Sequence, residues 1–225
     1  MRALLTALGL LLFVMGESAT AAEQPVQVGR GLALLEQPRN ARASVILVPG
    51  GDGMLGIQPD GRISRLQGNQ LVRTRHAYAS AGLAVLTVDR DVDLAAAVSY
   101  MRGIASPVTV VATSRGALRV PEALPGRPDG VVITSGMLDS LRASMGSSSG
   151  LPPTLIVHHR EDGCHVTSPG SVEPFAAWTG GRARVVWLTG GVDRGDPCQA
   201  AGHHGFAGLD GRVVGTVAGF ARNPR

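Results

Sequence analysis

The 225-residue sequence contains no lysine, so each of its 21 basic residues is an arginine. Schiff-base chemistry, pyridoxal phosphate attachment and a phosphate-binding P-loop all require a lysine, and its absence excludes them. Aromatic residues are scarce, at 4%, which disfavours stacking platforms for single-stranded nucleic acid. The arginines are scattered along the chain, so the formal net charge of +4 does not predict a nucleic-acid partner, which needs a focused basic face.

Long apolar runs are absent beyond the first residues of the chain. There, a positively charged start precedes an apolar stretch over residues 3–15 and small residues over 19–22. This layout is typical of a secretory signal, and it is shorter than the roughly 20 residues that a transmembrane helix needs. We therefore predict a signal peptide over residues 1–22, a single domain over 23–225, and export to the periplasm or the medium without stable membrane insertion after cleavage. An uncleaved anchor is the alternative.

Only two cysteines occur, Cys164 and Cys198. In an exported protein an even pair forms a disulfide by default, and closing this loop stabilises a fold by roughly 3–4 kcal/mol on the chain-entropy model. Potential metal ligands cluster over residues 158–165 and 198–204, but they have no zinc-site spacing, and oxidised cysteines cannot bind a metal. We predict no metal and no cofactor.

Continuous apolar segments alternate with helical patterns along the chain. Strands are predicted at 43–49, 83–89, 107–113, 130–135, 153–159 and 183–189, after an antiparallel hairpin at 25–29 and 31–36. Helices are predicted at 69–81, 92–102, 115–124, 171–179 and 210–221. Strands without polar alternation, each followed by a helix, indicate an α/β fold with a mostly parallel sheet and helices on both faces.

Polar residues follow these strands at the sheet edge where α/β proteins place their sites. A glycine-rich turn over residues 50–53 follows the first strand, and Ser114 follows the strand at 107–113. An acidic pair at 161–162 and a histidine pair at 203–204 come later. A serine nucleophile needs a base within hydrogen-bond reach, and that base needs an acceptor that fixes its tautomer. The pattern predicts these groups to converge.

With this order of serine, acid and histidine, the chain resembles the α/β-hydrolase family over nearly its whole length after the signal peptide. It looks most similar to the small, lidless, dienelactone-hydrolase-like members. The family's nucleophile elbow, G-x-S-x-G, corresponds to Ala112-Thr113-Ser114-Arg115-Gly116, with alanine in place of the first glycine. The His-Gly-Phe segment at 204–206 resembles the family's histidine loop.

The resemblance implies Ser114 as nucleophile, Asp162 as acid and His204 as base. Glu161 and His203 are the alternatives for the last two roles, and a serine after a strand is also a common helix N-cap.

The resemblance further implies an oxyanion hole made by two backbone N–H groups, one from Arg115 and one from the Gly51-Asp52 turn. Pro49 stands where the family often has a histidine, which leaves the exact donor open. A disulfide between Cys164 and Cys198 would tie the acid loop to the base loop and so preorganise the site.

The sequence thus predicts an exported serine hydrolase whose partners are small-molecule esters or lactones. A binding protein that has lost turnover and a serine peptidase or amidase are the alternatives.

Arg115 either pairs an anionic substrate group or serves as a structural or solvated arginine. The G-x-G-x-x-G pattern at 51–56 does not predict a dinucleotide site, because Pro59, Gly61 and Gly68 interrupt the helix that would have to follow.

Overall fold

The computed structural model describes residues 22–225, so the predicted signal peptide lies outside the described residues except for its last position. An antiparallel hairpin of β1 (Gln24–Val28) and β2 (Gly31–Glu36) comes first. The remaining strands are β3 (Ser44–Val48), β4 (Ala84–Val88), β5 (Val108–Thr113), β6 (Gly130–Thr134), β7 (Thr154–His159) and β8 (Ala183–Leu188). The helices are α1 (Gln70–Ser80), α2 (Leu94–Arg102), α3 (Val120–Ala123), α4 (Leu138–Met145), α5 (Val172–Trp178) and α6 (Asp210–Ala221).

All eight strands form one sheet in the order β1-β2-β4-β3-β5-β6-β7-β8. The six strands from β3 to β8 are parallel, and the hairpin joins β4 through an antiparallel pairing. The predicted mostly parallel sheet is therefore confirmed. Because β5 lies in the middle of the sheet, the residue that follows it reaches the centre of the edge formed by the strand ends.

The parallel strands are mostly apolar because helices cover both sheet faces. β3, β4, β5, β6 and β7 are buried over their whole lengths, whereas β8 is partly exposed at the sheet edge. On one face, Ile46 and Val110 pack in a cluster with α2 and α5. On the other, Leu47 and Val111 pack with α1 and α6. Each such aliphatic side chain contributes roughly 1.5–3 kcal/mol on burial.

One predicted helix was wrong, and one observed helix was not predicted. The segment 115–124 is not a continuous α-helix, because a 3₁₀-helix over Ser114–Arg119 precedes the single turn of α3 and a second 3₁₀-turn follows it. Pro121 and Pro125 each remove a backbone donor from this segment, which limits the α-helix to one turn. α4 was not predicted, since only Leu138 and Leu141 are buried along it and two positions make no helical period.

No helix within residues 22–225 combines the length and the apolar character required to cross a membrane.

Candidate active site

Ser114 lies at a sharp turn directly after β5. Its backbone φ of +52° is in the left-handed region, which residues other than glycine rarely adopt. Gly116 makes this turn possible, because a Cβ there would lie 2.5 Å from the carbonyl oxygen of Val48 and 2.6 Å from that of Pro49. Ala112, at the position of the family's first glycine, is fully buried in β5. The turn thus directs the half-buried Ser114 away from the sheet.

Three distant side chains meet at this turn. The Nε2 atom of His204 lies 3.2 Å from Oγ of Ser114, and its Nδ1 atom lies 3.0 Å from Oδ2 of Asp162. Both distances are within the range of a hydrogen bond. His204 belongs to a short 3₁₀-turn over His203–Gly205, in the long loop after β8. The structure therefore brings the predicted nucleophile, base and acid into one hydrogen-bonded row.

The carboxylate of Asp162 is fully shielded from solvent. Burial raises the pKa of Asp162. The hydrogen bond from His204, the charge of that ring and the N–H of Cys164 together lower it by more, so that the pKa lies below its usual value. The Cys164 N–H donates to Oδ1 at 2.9 Å. At neutral pH Asp162 is therefore a carboxylate that can stabilise an imidazolium at His204.

The two alternative residues occupy other positions. Glu161 is exposed, and its backbone carbonyl faces Nδ1 of His203 at 3.2 Å. The ring of His203 stacks on that of His159, with 4.1 Å between centroids and 17° between planes. The geometry places His204 and Asp162, rather than these neighbours, in the row with Ser114.

The predicted disulfide is confirmed. Cys164 and Cys198 are bonded, with 4.5 Å between their Cα atoms. The bond joins the loop after β7, which carries Asp162, to the loop that leads to His204. Both cysteines also line the cavity over Ser114.

An open cavity of about 550 Å³ lies over Ser114. Arg65 and Asp52 form an ion pair of 2.7 Å in its wall. Arg115 also lines the cavity, and its exposed side chain pairs with no acidic group in the described part of the chain. The interpretation of Arg115 as a structural salt bridge is therefore not supported.

The predicted oxyanion-hole residues share this cavity with the nucleophile. Gly51 and Asp52 line it, and within residues 22–225 their N–H groups donate to no other atom. The preceding Gly50 touches Ser114 so closely that a Cβ there would lie 2.8 Å from Cβ of the serine. Arg115 is the second residue of the 3₁₀-helix over Ser114–Arg119, and N–H groups in a first helical turn have no partner inside the helix. The loop after β3 is thus next to the nucleophile.

Asp89, directly after β4, has a structural role in the loop that contains the glycine pattern at 51–56. The carboxylate of Asp89 accepts hydrogen bonds from the N–H groups of Leu55 at 3.0 Å and Ile57 at 3.2 Å, and so anchors the loop after β3. The glycine pattern at 51–56 runs into this loop, and α1 begins only at Gln70. A helix N-terminus that could receive a pyrophosphate does not follow the pattern.

One group of potential metal ligands, His159, Glu161 and His203, has its ligand atoms within 4.8 Å of one another. A metal lies close to the plane of each imidazole that binds it, and two rings stacked face to face cannot both meet that condition. The arrangement does not suit a metal.

Sequence patterns did not identify Thr167 and His158, which lie directly behind the row. Oγ1 of Thr167 is 3.1 Å from Oδ2 of Asp162 and also 3.1 Å from Nδ1 of His204. Nε2 of His158 lies 2.9 Å from the carbonyl oxygen of Thr167. Neither a threonine in a loop nor a histidine at a strand end belongs to a sequence motif from which such contacts could be predicted.

No protein-family model and no curated protein matches the sequence. Solved structures do match. A dienelactone hydrolase from Anabaena variabilis has a TM-score of 0.65 at 16% identity, covering 91% of this chain and 98% of its own. A carboxyl esterase from the fungus Tuber melanosporum has a TM-score of 0.62 at 14% identity, covering 93% and 89%.

A serine hydrolase without a lid, from Xanthomonas campestris, has a TM-score of 0.58 at 13% identity, covering 92% of this chain and 94% of its own. At these identities the similarity establishes the fold. The chain has the α/β-hydrolase fold, without a lid domain over residues 22–225.

Proposed function

We propose that this chain is a serine hydrolase that cleaves small carboxylic esters or lactones through an acyl-enzyme. One observation carries the proposal: Oγ of Ser114 lies 3.2 Å from Nε2 of His204, whose Nδ1 lies 3.0 Å from the buried carboxylate of Asp162. A serine hydroxyl is a weak nucleophile until a base removes its proton. The row supplies that base and the acceptor that holds its tautomer.

In the first half of the proposed reaction, Ser114 attacks the ester carbonyl while Nε2 of His204 takes its proton. Asp162 stabilises the resulting imidazolium without taking up the proton itself. The N–H group of Arg115 and one from the Gly51-Asp52 turn bind the negative oxygen of the tetrahedral intermediate. His204 then gives its proton to the leaving alkoxide, and the acyl group stays on Ser114.

In the second half, water attacks the acyl-enzyme while His204 again accepts a proton. The second tetrahedral intermediate collapses, the protonated base returns a proton to Oγ of Ser114, and the carboxylic acid leaves. For a lactone the released alcohol and acid belong to one molecule, so nothing departs until this second step.

The site's shape supports small substrates. The cavity of about 550 Å³ lies within the size range of small-molecule sites, and it is open to solvent. The names of the structural neighbours, an esterase and a dienelactone hydrolase, support esters or lactones as the substrate class.

Export is part of the same proposal. The Cys164–Cys198 disulfide supports an oxidising compartment. The signal peptide over residues 1–22 and the single domain over 23–225 stay predictions.

A fluorophosphonate probe tests the nucleophile, because it reacts only with an activated serine. We expect labelling at Ser114, located by mass spectrometry, and none in a Ser114→Ala variant. On a panel of short acyl esters, lactones and amides, this variant should lose activity by about 10⁴-fold or more.

Folded protein without any labelling would contradict the proposal and favour a binding protein. Faster turnover of amides than of matched esters would favour a peptidase.

A further inference from the structure

Thr167 makes an unusual pair of contacts for a residue outside the proposed triad. Its Oγ1 lies 3.1 Å from Oδ2 of Asp162 and 3.1 Å from Nδ1 of His204. The residue is fully buried, so no solvent competes for the hydroxyl. A hydroxyl has one proton and two lone pairs. Because a carboxylate only accepts, the proton of Thr167 points to Asp162, and a lone pair faces the N–H of His204.

The Nδ1–H group of His204 is therefore shared between two acceptors, a carboxylate oxygen at 3.0 Å and a hydroxyl oxygen at 3.1 Å. A single acceptor restrains only its distance from Nδ1, and the orientation of the ring can still change. Two acceptors restrain the direction of the N–H bond, and with it the direction of Nε2 at the opposite side of the ring. In a buried site such a network is electrostatically stronger than in water.

We infer that Thr167 is a positioning residue for His204, the base of the hydrolase proposed above, on which this inference rests. Thr167 holds the ring as the tautomer with its proton on Nδ1, so that Nε2 offers its lone pair to Ser114. It touches neither the substrate nor the nucleophile.

The position of Thr167 is itself fixed on both sides of its backbone. Its N–H donates to the carbonyl oxygen of Cys164 at 3.1 Å. Its own carbonyl oxygen accepts from Nε2 of His158 at 2.9 Å. Cys164 belongs to the disulfide, and His158 is the penultimate residue of β7. The loop is thus bound to both the sheet and the disulfide.

The Nε2 atom of His158 lies 2.9 Å from the carbonyl oxygen of Thr167 and 3.5 Å from Oδ2 of Asp162. His158 is fully buried, packs edge to face on Trp187, and within the described residues its Nδ1 has no hydrogen-bond partner. Burial, opposed by the charge of Asp162, lowers the pKa of His158 and keeps the ring neutral. An unpaired buried acceptor is destabilising. The shorter contact of Nε2 is the hydrogen bond to Thr167, and through it His158 supports the ring of His204.

Thr167→Val removes the hydroxyl and keeps the shape of the side chain, whereas Thr167→Ser keeps the hydroxyl. We expect kcat on a reactive ester to fall about tenfold in the valine variant, with KM unchanged. The serine variant should stay within about threefold of the wild type. Should the valine variant not fold, Thr167→Ala gives the same comparison with serine. Equal kcat in the valine variant and the wild type would overturn the inference, as would equal losses in the valine and serine variants.

A second measurement does not depend on turnover. In ¹⁵N-edited NMR of the folded protein, the Nδ1–H proton of His204 should shift in Thr167→Val and stay near the wild-type position in Thr167→Ser. An unchanged signal in the valine variant would overturn the shared hydrogen bond. If wild-type protein neither hydrolyses the panel nor reacts with the probe, the proposed function fails, and this spectrum still decides the contact.

His158 is tested by a double-mutant cycle. His158→Leu should lower kcat, and the loss in the double variant with Thr167→Val should be smaller than the product of the two separate losses, because both substitutions weaken one hydrogen-bonded path. His158→Gln, which can keep a donor near the Nε2 position, should retain more activity than leucine and serves as the variant if leucine does not fold. Losses that multiply would show that His158 does not act through Thr167.

Discussion

Nε2 of His204 lies 3.2 Å from Oγ of Ser114, although 90 residues of chain separate them. The serine follows β5, in the middle of the sheet, and the histidine lies in the loop after β8, at its edge. The contact therefore depends on how the last loops of the chain cross the ends of the parallel strands. Residues in these loops can be substituted without changing the sheet, so the role of each can be tested separately.

The two adjacent histidines provide a matched pair for testing the base. We expect His204→Asn to lower kcat on esters by about 10⁴-fold or more, since the nucleophile loses its proton acceptor. His203→Asn should change kcat by less than about tenfold, because the His203 ring stacks on His159 and contacts the backbone of Glu161. Steady-state kinetics of both variants gives the comparison. A larger loss at His203 would assign the base to that residue.

Removing the disulfide should affect both stability and activity. On the chain-entropy model, the 34-residue separation corresponds to about 3–4 kcal/mol in the free energy of unfolding. We expect Cys164→Ser/Cys198→Ser to lose about this amount in urea unfolding. Its kcat should also fall, because Cys164 holds both Asp162 and Thr167 through backbone hydrogen bonds.

A dithiol reductant should lower the activity of the wild type and leave that of the double variant unchanged. Full activity in reduced, folded wild-type protein would contradict a role for the bond in ordering the site.

Arg115 should decide the preference for the charge of the substrate. Its side chain lines the cavity and has no acidic partner in the described part of the chain, so a substrate carboxylate can pair with it. We expect Arg115→Gln to lower kcat/KM for a carboxylated ester by about tenfold or more and to change that of the matched neutral ester by less than about threefold. Arg142→Gln, on the exposed side of α4, is the control. Equal effects on both esters would leave Arg115 as a solvated arginine.

His158 should make the folded state less stable in mild acid than at neutral pH. Its pKa is lowered from 6.5 mainly by burial, with Asp162 opposing and His204 and His159 adding to the shift. Below about pH 6.5 His158 is therefore protonated in the unfolded chain but not in the folded chain. The free energy of unfolding then falls with decreasing pH, by up to about 1.4 kcal/mol per pH unit. Above pH 6.5 this contribution is fully present.

Urea unfolding between pH 5 and 8 measures this slope, and His158→Leu should remove its part of it. Asp162 adds a loss of the same sign at lower pH, because its pKa is below 3.8 in the folded state. Identical slopes in the wild type and the leucine variant would show that His158 titrates normally.

The sheet was predictable because it depends on local patterns, whereas the choice of Ser114, His204 and Asp162 came from the resemblance to the α/β-hydrolase family. Apolar strands mark the layers, and a parallel sheet brings the residues that follow its strands to one edge. The unpredicted helix α4 buries only two side chains, so the sequence contains no apolar periodicity that would mark it as a helix.

Thr167 and His158 were not predictable for a different reason. Their roles arise from hydrogen bonds between a loop hydroxyl, a backbone carbonyl and two buried rings. Only the folded path of the loop after β7 determines which of its polar groups meet.

The pairing of β3 with β5, which sets Val48 opposite Ala112, has a consequence for studies of refolding. Side chains alternate between the two faces of a strand, so a shift of β5 by one residue would reverse every side chain along it and move Gly116 away from the carbonyls it fits against. A misaligned chain would keep its helix content and its average hydrophobic burial. Recovery of hydrolysis would then report strand alignment, which circular dichroism cannot distinguish.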